Sequence, residues 1–75
     1  MNIEIYYCGE WNYLPEASRL EDELKGNLEN VNVELNKGFG GIFKVIVNDS
    51  IIFDKLGIEH RFPKENEITT RIKSL

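Results

Sequence analysis

The chain has 75 residues, of which 41% are apolar and 29% charged, and its net charge at neutral pH is −4. That length holds one domain with a modest core and leaves no room for a second. An acidic balance with scattered lysines and arginines argues against nucleic acid and against anionic membrane surfaces, both of which call for a basic patch.

The single cysteine, Cys8, excludes an internal disulfide framework, and a zinc site would lack thiolate partners. His60 stands alone and the carboxylates form no metal-binding loop, so neither a metal nor a resident cofactor is expected. No apolar run approaches the roughly 20 residues that span a bilayer. The N-terminus carries neither the basic start nor the apolar stretch of a signal peptide. The expected location is the cytoplasm, where a free thiol stays reduced.

Residues Asn2 to Cys8 alternate, with Ile3, Ile5 and Tyr7 on one side and Asn2, Glu4 and Tyr6 on the other, which predicts a strand. The period then changes. Leu14, Ala17, Leu20, Leu24 and Leu28 recur at spacings of three and four, a single helical stripe of about four turns. Glu21 and Lys25 form an i,i+4 pair on that helix. Pro15 is accommodated if it falls in the first turn; a helix starting nearer Gly9 would be kinked by it. Gly26 and Asn27 loosen the helix end, and Val31, Val33 and Leu35 alternate as a second strand. A strand, a helix and a strand make a βαβ unit, so these two strands should be parallel and the crossover right-handed.

Gly38-Phe39-Gly40-Gly41 breaks the pattern. Ile42 to Val47 is nearly continuous in apolar residues and predicts an interior strand. Asn48-Asp49-Ser50 supplies turn chemistry, so Ile51 to Asp54 should pair back as a hairpin. Pro63 can open a last helix in which Ile68, Ile72 and Leu75 share a face. The order β-α-β-β-β-α predicts a two-layer α/β sandwich, a single domain over residues 1–75. Its four-stranded mixed sheet should run 2-1-3-4, with the third strand antiparallel to the first.

Three motifs then line up with a known family. Tyr7-Cys8-x-x-Trp11-x-Tyr13-x-Pro15-x-Ala17 resembles the Y-C-x-x-(C/U)-x-(Y/W)-x-x-x-A pattern of the selenoprotein W-related, or Rdx, group of thioredoxin-like proteins, where U is selenocysteine. Gly40-Gly41-Ile42-Phe43-Lys44-Val45 is similar to that group's glycine loop and following strand, and Arg61-Phe62-Pro63 to its R-F-P segment. The resemblance spans nearly the whole chain in the right order. It implies a thioredoxin-like fold and a thiol redox role, with Cys8 at the first position of the motif. Trp11 stands where the second cysteine or selenocysteine belongs, and tryptophan can neither form nor resolve a disulfide.

Two readings of function follow. In the first, the chain is a non-enzymatic interaction module. Trp11, Tyr13 and Phe39 then form the contact surface for a protein partner, since tryptophan and tyrosine are favoured interface anchors. In the second, Cys8 is a monothiol nucleophile at the start of a helix, whose free N–H groups favour a thiolate. It would form mixed disulfides with glutathione or a client thiol. Glu10 works against a low thiol pKa, and no Lys, Arg or His lies within several residues to offset it. The glycine loop lacks the spacing of a phosphate cradle. Its expected role is a positive-φ turn or a close approach to the first loop.

Overall fold

The computed structural model describes all of residues 1–75. Its elements are β1 (Asn2–Cys8), α1 (Leu14–Asn27), β2 (Asn32–Gly38), β3 (Phe43–Val47), β4 (Ser50–Asp54), a π-helical turn (Lys55–Glu59) and α2 (Glu67–Lys73). The sheet runs β2-β1-β3-β4. β1 is parallel to β2 and antiparallel to β3, and β3 is antiparallel to β4. The architecture is the expected one.

The alternation in β1 explains which face is covered. Ile3 and Ile5 are buried under the helices together with Phe43, Val45, Val47 and Phe53 from the other strands. Ala17, Leu20 and Leu24 of α1 and Ile68 and Ile72 of α2 close over them in one core. Each fully buried aliphatic or aromatic side chain there stabilises the fold by about 1.5–3 kcal/mol. Leu14, at the upper end of the helical stripe, stays exposed. Pro15 falls in the first turn of α1, where its missing N–H has no partner to lose. The Glu21–Lys25 pair forms at 2.9 Å on a solvent face and contributes a few tenths of a kcal/mol.

Two turns show why the short elements stop where they do. Asn48 and Asp49 both take positive φ, 46° and 72°. Two such residues between Val47 and Ser50 make the tight hairpin whose twist matches its strands. The last helix starts later than Pro63 suggests. Asn66 adopts φ 64°, a left-handed conformation that interrupts any right-handed helix, so α2 begins at Glu67. Pro63 instead lies buried in the segment that leads there. α2 ends at Lys73, leaving Leu75 74% exposed and off the face of Ile68 and Ile72.

Four charged residues hold the π-helical turn to α2. Arg71 reaches Glu59 at 2.9 Å and Glu67 at 2.8 Å, and Arg61 meets the Glu67 carboxylate with both guanidinium nitrogens, at 2.7 and 2.8 Å. Arg71 also donates to the Ile52 carbonyl at 2.9 Å. Ile52 is the residue skipped where the β3–β4 register shifts, so its carbonyl needs a partner from outside the ladder. The Arg61 hydrogen bonds hold the Glu67 carboxyl at about 2, and Arg71 holds that of Glu59 below the usual carboxylate range. No helix is long and apolar enough to cross a membrane.

Candidate functional site

Because β1, β2 and β4 run the same way and β3 the other, the first three finish, and β3 begins, at one end of the sheet. The segments Gly9–Tyr13, Phe39–Ile42 and Lys55–His60 leave the sheet at this tip. Cys8 is the last residue of β1, and it is 0% exposed. By alternation it belongs to the uncovered face with Glu4 and Tyr6. Its burial follows from topology: β1 lies between β2 and β3, so the chain joining those two must pass over its end. Cys8 N–H donates to the Ile42 carbonyl at 2.9 Å, and Gly9 N–H to the Gly38 carbonyl at 3.1 Å, one from each side of the crossing.

The turn after Cys8 closes with a paired motif. Tyr13 N–H donates to the Cys8 carbonyl at 3.0 Å and Asn12 N–H to the Gly9 carbonyl at 3.2 Å, with Asn12 at φ 56°. This is the bonding of a helix C-terminus with a left-handed cap, and asparagine tolerates that conformation better than most residues. The free N–H groups of α1 begin only beyond this turn, at Leu14. The expected placement of Cys8 at the start of that helix is therefore corrected: a capped turn stands between the thiol and the helix.

Trp11 and the glycine loop meet, as the close-approach role of the glycines requires. Gly40 and Gly41 take φ 69° and 82°, and Ile42 N–H closes their turn onto the Phe39 carbonyl at 3.3 Å. The indole of Trp11 covers Gly41 so closely that a β-carbon there would lie 2.5 Å from Cζ3. Trp11 nonetheless remains 59% exposed, and Phe39, on the outer corner of the loop, 77%. It is through Gly41 that the loop approaches Trp11.

Tyr13 takes a different part from the one expected. It is half-buried and packed on the core. Its ring stands edge-on to Trp11 at 6.0 Å and to Phe62 at 4.7 Å. Phe62 continues to Phe43 at 5.3 Å, and Phe43 to Phe53 at 6.4 Å. Tyr13 is thus a structural link between the tip and the core. Each such edge-to-face pair adds about 0.5–1.5 kcal/mol beyond burial. Lys55 places its ammonium 5.5 Å from the Tyr13 ring centre and 5.2 Å from that of Phe62.

Three members of the site were not found by local reading. Leu56 and Ile58, in the π-helical turn, are 50% and 66% exposed at the tip. Lys37 comes from β2, where parallel pairing sets Cys8 opposite Gly38, and its aliphatic stem lies against Gly9. A lysine stem therefore stands beside the turn that follows the cysteine, supplied by register and not by neighbours in sequence. Only the register of the βαβ unit carries that signal. The open depression between α1 and the approach to α2 lies apart from these residues. It is lined by Arg19, Asp22, Glu23, Asn27, Glu65 and Asn66, with no apolar side chain.

This sheet, these helices and a cysteine turn at the strand end define a thioredoxin-like protein of the selenoprotein W-related class. The chain belongs to the Rdx family, whose model matches residues 2–74. It is similar to the crystal structure of a selenoprotein W-related protein from Vibrio cholerae, with 29% identity and a TM-score of 0.91 over 97% of this chain and 92% of the other. It is also similar to a crystal structure from Bordetella parapertussis, with 25% identity and a TM-score of 0.89 over 97% of this chain and 94% of the other. No significant relative is found among curated proteins.

Proposed function

We propose that this Rdx-family chain is a non-enzymatic interaction module that binds a protein partner through the tip of its sheet. One observation carries the reading. Of the eight large hydrophobic side chains that are exposed, four lie in the segments at this one end, Trp11, Phe39, Leu56 and Ile58, and a fifth, Leu14, opens α1 directly after the first of them. Apolar side chains scattered singly need no explanation, whereas a group on one rigid edge is the usual mark of a contact surface. The scaffold is suited to it, because backbone hydrogen bonds and the Trp11–Gly41 contact hold the loops in place before binding.

The burial of Cys8 weighs against the monothiol alternative. Attack on glutathione or a client disulfide needs an accessible thiolate, and Cys8 is fully buried. Trp11 offers no second thiol to complete a cycle.

The test compares partner capture by wild type with that by Phe39→Ser and Trp11→Ala, each checked for an unchanged circular dichroism spectrum. Loss of the same captured protein in both variants is expected. Undiminished capture by both, or capture that depends on Cys8→Ser alone, would sink the reading.

A further inference from the structure

Resting on the interaction reading, we infer that the tip selects an acidic partner segment, one in which carboxylates flank aliphatic or aromatic anchors. The apolar side chains supply contact area but no sign of charge. The lysines around them do. Lys37, Lys44 and Lys55 lie at this end of the sheet, and the ion pairs of the molecule involve none of them.

Each lysine is positioned for the role by its surroundings. Lys37 runs along Gly9 beside the first turn. Lys55 is held over Tyr13 and Phe62, and Tyr13 stands edge-on to Trp11. Lys44 sits across from Asp54 in the ladder without forming an ion pair with it; the Asp54 carboxylate accepts the Gly57 N–H at 3.1 Å and caps the π-helical turn. Arg61, at the same end, is already taken by Glu59 and Glu67. The exposed carboxylate facing this group is Glu10.

Acidic residues are concentrated away from the tip. Glu21, Asp22 and Glu23 line α1, Glu29 precedes β2, and Asp49 tips the β3–β4 hairpin at the far end. With a net charge of −4, the chain as a whole disfavours an acidic segment, and the three unpaired lysines at the tip offset that locally. Attraction at one end and repulsion elsewhere orient an encounter and reject wrong dockings.

The test is fluorescence anisotropy with three short fluorescein-labelled peptides. In one, glutamates flank leucine and phenylalanine; in the second, lysines replace the glutamates; in the third, serines replace the apolar residues. Only the first should bind, and its affinity should fall about tenfold from low to high salt. Lys37→Glu and Lys44→Glu should each weaken it several-fold. Lys55→Gln, which keeps much of the stem packed on Tyr13, should do the same with an unchanged melting curve. Equal or tighter binding of the lysine peptide, or no binding of the glutamate peptide, overturns the charge preference. If the lysine peptide binds and Phe39→Ser removes that binding, the contact surface survives and only its proposed partner falls. Binding untouched by Phe39→Ser and Trp11→Ala removes both. Sedimentation showing that the chain dimerises through the tip, with loss of dimer in Phe39→Ser, makes a second copy the occupant and overturns the inference.

Discussion

Trp11 lies over Gly41 at a distance that leaves no room for a side chain: the indole Cε3 and Cζ3 would stand 2.9 and 2.5 Å from any β-carbon at that position. Gly41 also holds φ 82°, so two constraints meet on one residue. Gly41→Ala should cost about 2–4 kcal/mol, combining left-handed strain with overpacking. Gly40 has a similar φ of 69° but open space around it, so Gly40→Ala should cost only about 1 kcal/mol. Urea unfolding of the two variants measures the difference. Equal losses would mean that the indole contact adds nothing.

Acid should loosen the end of the fold that Glu67 holds. The folded-state pKa of Glu67 is lowered to about 2, chiefly by the Arg61 hydrogen bonds, and Glu59 is lowered by Arg71. A depressed carboxylate contributes stability that is complete above its unfolded value of about 4.3 and is lost as pH falls toward the folded one. Stability should therefore drop from about pH 5 to pH 2. Glu67→Gln should be less stable than wild type near neutrality, by about 1–2 kcal/mol, and nearly equal to it at the acid end. Melting curves across this range give the comparison. A constant gap at all pH values would contradict it.

Cys8 should be slow to alkylate while the chain is folded. Iodoacetamide must wait for the buried thiol to be exposed by local opening, so native labelling should lag the unfolded rate by about a hundredfold or more. Trp11→Ala, which uncovers Gly41, should shorten that lag. Rapid native labelling would restore the monothiol route.

The turn geometry makes a related claim. Gly9 to Asn12 close one helical turn, which brings the ends of a four-residue span near disulfide range. Trp11→Cys should thus oxidise to a disulfide with Cys8, read as a mass loss of about 2 Da. A well-folded variant that stays reduced would show that the turn has departed from dithiol geometry.

One substitution should improve the fold. Asp49 holds φ 72° at the second central position of the β3–β4 turn, where glycine is the favoured residue. Asp49→Gly should raise stability by about 0.5–1 kcal/mol and lift the melting temperature. A fall would argue that the Asp49 side chain does unrecognised work.

Periodicity made the elements readable because it reports local geometry. The alternation Ile3-x-Ile5-x-Tyr7 and the stripe Ala17, Leu20 and Leu24 each place a face without knowledge of the rest. What failed depended on single backbone conformations or on distant partners. Asn66 turns left-handed and delays α2, a choice that Pro63 obscures. The π-helical turn at Lys55–Glu59 has no pattern of its own; it is held by Arg71 and by the Asp54 cap, one of them far along the chain. The site shows the same division. Trp11 and Phe39 were visible as aromatics at a turn and a glycine tip. Lys37, Leu56 and Ile58 join them only through the sheet order, and Tyr13 leaves the surface because Phe62 waits beneath it.

The aromatic series from Trp11 through Tyr13 and Phe62 to Phe43 has an experimental use. Trp11 is the chain's single tryptophan, half in solvent at the tip and half against Gly41. Its emission is therefore an intrinsic optical reporter with one origin. A ligand that covers the indole should shift the spectrum to the blue, and loss of the Gly41 contact should shift it to the red. The same unlabelled sample can then follow both occupation of the tip and melting of the turn beneath it, separated by the sign of the change.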